Sequence, residues 1–390
     1  MKIDNYLRNV KIDLYFFVRY LAMGGSFLTT LMMLRVLSSS DFISFQIMLS
    51  FFVILYWFID FGSIDLMVLA KDDKILISKY SSGRTFRYVV LTVLMFIILL
   101  FVADLRIALI FIAVNTDYFN ESMITYRSVR NSLNYLAITL LVRKSAPLLF
   151  LFFSNFFMTD KTFEYFLLIT IISNIPWILK DLLNIPFSVK YVFFTDNQTK
   201  LNFLQQGGNF LQNLDVPLLN FLSFTIVIPP YVLAKKLFQI LSVFGHFQIP
   251  RIMDANLEAI SLKNIKKRIY SNLKLSVIMS FFVICFTEVV FRELSVINLT
   301  LDDRIMAYLL LIIGNLSIVT VQQNALLKAL RNFRTLLIST LGSTLIYLVS
   351  IVTIMSIWKV KWFFLLPQIL NLSAELFLQK SAFDKRYEND

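Results

Sequence analysis

Ten ionisable side chains stand in stretches otherwise apolar enough to lie in lipid. The cations are Arg19, Arg143, Lys144, Lys235 and Lys236; the anions are Asp117, Glu121, Asp215, Glu288 and Glu375. A charge at mid-bilayer costs about 2.5–3.5 kcal/mol on insertion scales, so each marks a candidate site for binding or ion movement. Cations along a wet path can hold phosphates and other anions. Asp117 and Glu121 are four apart and share a helix face, with Asn115 and Asn120 nearby. Two carboxylates on one face in low dielectric cannot both stay ionised cheaply, which is what a proton- or sodium-coupling site needs. The alternative is a wet helix end with no coupling role. Asp117, Glu121 and Asp215 are the ion-coupling candidates.

The five cations are the candidates for binding an anionic substrate. Lys235 and Lys236 are adjacent, and helical neighbours point about 100° apart, so at most one aims straight into a path. A pairing with Asp215 on the preceding span is the competing reading. Arg143 and Lys144 either line a cavity or snorkel from the start of a shorter fifth span. Arg19 lies about two turns inside the first span and reaches either a cavity or the inner headgroups. The lone His246 stands near a span end, and the single Cys285 excludes an intramolecular disulfide. The chain carries no metal-ligand cluster, nucleophile triad or Walker-type glycine loop. These absences point away from an enzyme, a metal site, a cofactor and an ATP-driven pump.

The elements that position these charges follow from composition. The chain is 58% hydrophobic and only 16% charged, against roughly 25% charged in soluble domains. Forty Phe beside nine Gly and eight Pro suit lipid-facing helices. Residues 1–12 are polar and basic, and no cleavable signal peptide is expected. Apolar segments predict twelve spans near 13–36, 42–60, 87–103, 106–126, 134–158, 163–182, 202–222, 226–247, 272–291, 304–324, 335–357 and 362–379. The third and fourth are split only by Ala103-Asp104-Leu105-Arg106. With both termini in the cytoplasm, 25 of the 37 Lys and Arg fall in cytoplasmic segments and seven outside, as the positive-inside rule requires. The net +12 is thus a topology signal with an affinity for anionic headgroups, not a nucleic-acid footprint. Apolar residues at 257, 260, 262, 265 and 269 among lysines suggest a surface helix on the inner leaflet, with a basic linker as the alternative. Pro147, Pro176 and the Pro229-Pro230 pair break backbone ladders and can serve as hinges, although the pair also suits a first helical turn.

Gly24-Gly25-Ser26-Phe27-Leu28 recurs as Gly207-Gly208-Asn209-Phe210-Leu211, nearly half the chain later. Each copy opens a half of about six spans, the sequence outline of a transporter built from repeated bundles. The expected organisation is a six-helix lobe over 1–185, a cytoplasmic linker at 186–201, a second six-helix lobe over 202–380 and a cytoplasmic tail at 381–390.

Two stretches carry a family resemblance. One is Leu37-Ser38-Ser39-Ser40-Asp41-Phe42-Ile43-Ser44-Phe45, followed by Ile59-Asp60-Phe61-Gly62. The other is Asn213-Leu214-Asp215-Val216-Pro217-Leu218-Leu219, then Tyr231-Val232-Leu233-Ala234-Lys235-Lys236-Leu237. With Arg143-Lys144-Ser145-Ala146-Pro147, they resemble Wzx-type polysaccharide flippases of the multidrug/oligosaccharidyl-lipid/polysaccharide exporter superfamily. Ser39 and Ser40 depart from the Gly or acidic residues frequent in that outer turn. The resemblance implies an all-α, polytopic membrane protein of twelve helices in two lobes (a MATE-like fold). It implies alternating access through a cationic central cavity in a bacterial inner membrane. The implied cargo is an undecaprenyl-diphosphate-linked oligosaccharide, such as an O-antigen or capsule repeat unit, moved from the inner to the outer leaflet. Membrane lipids surround such a protein, a polysaccharide polymerase is a candidate partner, and coupling to protons, sodium or neither stays open. The rival readings are a multidrug/cation antiporter of the same superfamily and an integral-membrane polymerase or glycosyltransferase. The short outer loops disfavour the latter.

Overall fold

The computed structural model describes residues 21–22, 24–63, 73–102, 105–129, 133–154, 156, 161–184, 197–246, 262–294, 300–329, 333–357 and 360–387. Every regular element among them is helical. Helix α1 covers residues 24–36. It is followed by α2 (Ser39–Asp60), α3 (Lys74–Val102), α4 (Leu105–Val129), α5 (Leu133–Ser154) and α6 (Thr162–Asn184). Then come α7 (Asn197–Leu211), the short α8 (Asp215–Phe221), α9 (Ile228–His246), α10 (Leu262–Leu294), α11 (Leu301–Ala329), α12 (Phe333–Ile357) and α13 (Leu365–Tyr387). Among the described residues, Ser39–Asp60, Thr162–Asn184 and residues 334–357 are long and apolar enough to cross a membrane by length and composition alone.

Local chemistry sets the helix ends. Ser38 caps α2 by accepting from the Asp41 N–H at 3.2 Å. The helix stops at Phe61 and Gly62, both left-handed with φ of 50° and 74°. Asp73 caps α3, its Oδ1 accepting from the N–H groups of Ile75 and Leu76 at 2.9 and 3.0 Å. Helix α3 therefore begins well before the expected third span at 87. Pro229 and Pro230 fall in the first turn of α9, where a missing N–H costs no ladder bond. Pro147 and Pro176 lie inside α5 and α6 and release the carbonyls four residues earlier, those of Arg143 and Ile172.

Two expectations need correction. The seventh span is not one helix: α7 ends at Leu211, a 3-10 turn covers Gln212–Leu214, and α8 restarts at Asp215. Pro217 explains the break, because it offers no N–H and its ring clashes with the carbonyl of Asn213. The proposed surface helix around 257–269 is not separate either. Its described part, from Leu262, is the start of the 33-residue α10, and the rest lies outside the described residues.

The chain divides into two compact units, Met1–Lys200 and Leu201–Asp390. Within the first, the helices pack as α2·α3, α2·α4, α3·α4, α4·α5, α4·α6 and α5·α6. Within the second, the pairs are α9·α10, α9·α11, α10·α11, α11·α12, α11·α13 and α12·α13, the same scheme in the same order. Both units bury polar groups within a largely apolar core and expose large apolar side chains. Ser82, Thr139, Asn120, Asn174, Thr340 and Ser343 are buried, while Phe101, Phe153, Phe281, Phe282 and Phe286 are exposed. An apolar exterior over buried polar contacts fits a lipid solvent, in which packing and interhelical hydrogen bonds hold helices together. The seam between α10 and α11 is one example. Ser276 Oγ donates to Asn315 Oδ1 at 2.6 Å, and Asn315 Nδ2 donates to Ser280 Oγ at 2.7 Å. At one end of the first unit, Arg106 joins Asp41 at 3.0 Å and Glu164 at 3.1 Å, tying together the starts of α2, α4 and α6. That convergence is what up-and-down packing demands.

Candidate functional site

Each unit holds its own charged cluster. In the first, Asp117 on α4 faces Arg143 and Lys144 on α5. Arg143 Nη2 donates to Asp117 Oδ1 at 2.8 Å and to its backbone oxygen at 2.9 Å; Arg143 Nε donates to Asn174 Oδ1 at 2.6 Å. Lys144 Nζ reaches both Asp117 oxygens, at 3.1 and 2.9 Å. Asn120 donates to the side chain and backbone oxygens of Asn174 at 2.9 and 3.1 Å, fixing α4 to α6. The prolines sit close by in sequence. Pro147 frees the Arg143 carbonyl, and Pro176 follows Asn174 by two residues, so the cluster lies where two helix ladders are interrupted. Exposure separates the two cations. The Arg143 side chain is 0% exposed, whereas Lys144 is 18% and Asp117 31% exposed. Arg143 is fully enclosed, whereas Lys144 keeps part of its side chain accessible.

These positions revise one sequence reading. Arg143 and Lys144 stand well inside α5, which starts at Leu133, so they do not mark a helix start. Asp117 is paired with two cations. Glu121 follows one turn later on α4, with its side chain outside the described ones, and Arg19 lies outside the described residues.

In the second unit, Asp215 stands at the break between α7 and α8. It is buried, and its Oδ1 accepts from the Val216 N–H at 2.7 Å. Its Oδ2 accepts from Lys235 Nζ at 2.8 Å and from the hydroxyl of Tyr231, with the Tyr347 hydroxyl at 3.4 Å. Gln368 donates to Tyr347 in turn. The Lys235 ammonium also lies 4.7 Å from the centre of the Tyr231 ring. The pairing of Lys235 with Asp215 is thus the one realised, and Lys236 is half-buried beside it. Lys235 opens onto a cavity of about 300 Å³ within this unit, walled by α9, α11, α12 and α13. Asn213, Phe238, Ser317, Asn324, Asn371 and Glu375 are among its lining residues. Glu288, by contrast, pairs with Arg304 at 2.6 Å between the adjoining ends of α10 and α11.

A third charged group escaped the sequence reading. Arg84 and Arg87, counted among cytoplasmic loop charges, are buried on α3. Arg84 Nε lies 3.1 Å from Asp60 Oδ1. Arg87 donates to the carbonyls of Ile59 and Asp60 at 2.9 and 3.1 Å and to Ser63 Oγ at 2.9 Å. Arg87 thereby caps the C-terminal carbonyls of α2, where the helix dipole favours cations, while Arg84 pairs with the Asp60 carboxylate.

No known family profile matches the sequence, and no curated protein matches it. Solved structures do match in shape. The MATE multidrug transporter DinF-BH superposes with a TM-score of 0.64 at 13% identity, over 96% of this chain and 95% of that one. An outward-facing MATE-family multidrug resistance transporter of the MOP superfamily gives 0.61 at 12% identity, over 96% and 95%. The lipid II flippase MurJ, in an inward closed conformation, gives 0.54 at 14% identity, over 94% and 87%. The chain therefore has the fold shared by MATE transporters and MurJ, which is a fold of integral membrane transporters and flippases.

Proposed function

We propose that this protein is a flippase for a lipid-linked oligosaccharide, carrying an undecaprenyl-diphosphate-bound repeat unit from the inner to the outer leaflet of a bacterial inner membrane by alternating access. The observation that carries this reading is the pre-neutralised lysine found in each unit: Lys144 held by Asp117, and Lys235 held by Asp215. A bare ammonium in a low-dielectric path is costly, and its aspartate relieves that cost until cargo arrives. A diphosphate offers more charge and more acceptor oxygens than one carboxylate, so it displaces the aspartate from the lysine. Arg143 and Tyr231 keep each aspartate in place after the exchange. The likeness of fold to a lipid II flippase supports the same class of cargo.

The test is uptake of a fluorescent undecaprenyl-diphosphate oligosaccharide by proteoliposomes. Lys144→Ala and Lys235→Ala are expected to slow flipping at least tenfold while the protein still inserts and folds. Wild-type rates in both variants overturn the reading. One observation favours a multidrug/cation antiporter instead: the cavity of the second unit joins a buried carboxylate, Glu375, to the aromatic side chains of Tyr231, Tyr347 and Phe238. Drug efflux that survives both lysine substitutions and is lost in Glu375→Gln decides for that alternative.

A further inference from the structure

The cavity of the second unit has two unlike ends. At one end Lys235 opens onto it, held by Asp215 at 2.8 Å. Gln368 of α13 belongs to this end through its bond to Tyr347. At the other end stand Asn371 and Glu375, one turn apart on α13 and 7% and 6% exposed. Glu375 follows Gln368 by seven residues, so the two ends lie about 10 Å apart along the helix.

Hydrogen bonds within the protein determine what each end has left to offer. The Tyr231 hydroxyl and Lys235 are donors spent on Asp215 until an anion draws the lysine away. At the far end Asn324 Nδ2 donates to Glu375 Oε1 at 3.0 Å, and Gln379 Nε2 donates to Asn324 Oδ1 at 2.6 Å. Asn371 Oδ1 is buried and makes no hydrogen bond within the protein. A buried acceptor left unmade is costly, so this end calls for a ligand that brings donors. A phosphate or carboxylate carries only acceptors and suits the lysine end instead. A hydrocarbon chain leaves Asn371 unsatisfied. A polyol supplies O–H donors, and Phe238, Leu310 and Leu372 give its C–H surface an apolar wall. The volume of about 300 Å³ stands at the small end of ligand sites, which run about 300–1,000 Å³, so it suits one sugar ring rather than a whole repeat unit.

We propose that this cavity selects the first sugar of the cargo: Lys235 takes the phosphate that bears it, Asn371 and Glu375 take its hydroxyls, and a neutral sugar is accepted where a uronic acid is refused. The proposal rests on the flippase reading. A uronic acid sets a second carboxylate beside Glu375 in a low-dielectric cavity, a like-charge contact that works against it. The test is equilibrium binding by calorimetry to the full-length protein in detergent. The probes are farnesyl diphosphate alone and farnesyl diphosphate bearing glucose, galactose, glucuronic acid or galacturonic acid. The wild type is expected to bind the better neutral glycoside at least tenfold more tightly than both the sugar-free probe and the matching uronic acid. Asn371→Leu, close in size but without the acceptor, is expected to bring the neutral glycoside down to the sugar-free affinity and to leave the sugar-free affinity unchanged. Glu375→Gln is expected to narrow the gap between neutral and acidic sugars to threefold or less. The Asn371 variant decides the matter should the Glu375 variant fail to fold. Equal affinity with and without a sugar, or sugar discrimination unchanged in Asn371→Leu, overturns the proposal. The flippase reading stands or falls on flipping by proteoliposomes, so failure of one is told apart from failure of the other.

Discussion

Replacing Asp117 by Asn removes one negative charge and almost no volume from a group of one anion and two cations. Arg143 keeps an amide oxygen to donate to, the Asp117 backbone oxygen and the 2.6 Å bond to Asn174, but it loses its counter-charge. Stripping one partner from a buried ion pair costs about 3–5 kcal/mol. Here Asp117 is 31% exposed, so screening lowers the expected cost of Asp117→Asn to about 2–3 kcal/mol. Arg143→Met alone leaves Asp117 with Lys144 and is expected to cost about the same, through its lost bonds to Asn174 and Asp117. The double variant removes both charges together, and Lys144, 18% exposed, can turn toward water. Its cost is expected to be about 2–3 kcal/mol rather than the sum, a coupling of about 2 kcal/mol. The assay is reversible unfolding by SDS in mixed micelles, followed by far-UV circular dichroism, on the wild type, both single variants and the double. Additivity within about 0.5 kcal/mol would refute the idea that Arg143 is a scaffold group held by Asp117.

Arg87→Met is expected to destabilise by about 2–3 kcal/mol in the same unfolding assay, since it strips the Ile59 and Asp60 carbonyls of their buried donor. Arg87→Lys should rescue little, because a single ammonium cannot reproduce the guanidinium fork. Gly314→Ala is expected to cost about 1–3 kcal/mol and to constrict the cavity of the second unit, because the new Cβ would stand 2.9 Å from the Phe238 ring. Gly25→Ala serves as the control, its nearest neighbour being the Lys144 Cβ at 3.8 Å. For topology, the exposed Cys285 is first replaced by Ser, and a cysteine is then introduced by Lys385→Cys. Labelling by a membrane-impermeant maleimide is expected only after the cells are opened, and labelling in sealed cells would reverse the orientation argued from the positive-inside rule.

Class and outline were legible from the sequence because they depend on one-dimensional quantities. Long apolar runs demand helices in lipid, which must satisfy their own backbone groups. Helix α3 is described to Val102 and α4 from Leu105, on either side of the polar Ala103-Asp104 step, which lies outside the described residues. Other signals were present but outvoted. Asp73 is a plain N-cap that places the start of α3 ahead of the expected span and brings Arg84 and Arg87 into a helix rather than a loop. Pro217 marks the break before Asp215, and the four-residue spacing of Asn371, Glu375 and Gln379 marks a polar stripe on α13. What the chain alone left open was which charge meets which. Asp117 could have faced Glu121, and Arg143 could have reached for the headgroups; each choice fits the same hydropathy profile. Packing of α4 against α5 and α6 brings Asp117 to Arg143 and Lys144 and Arg143 to Asn174, and in the second unit Lys235 goes to Asp215. The reason is that side-chain type sets the cost of burying a charge, whereas only the contacts between helices determine what offsets it.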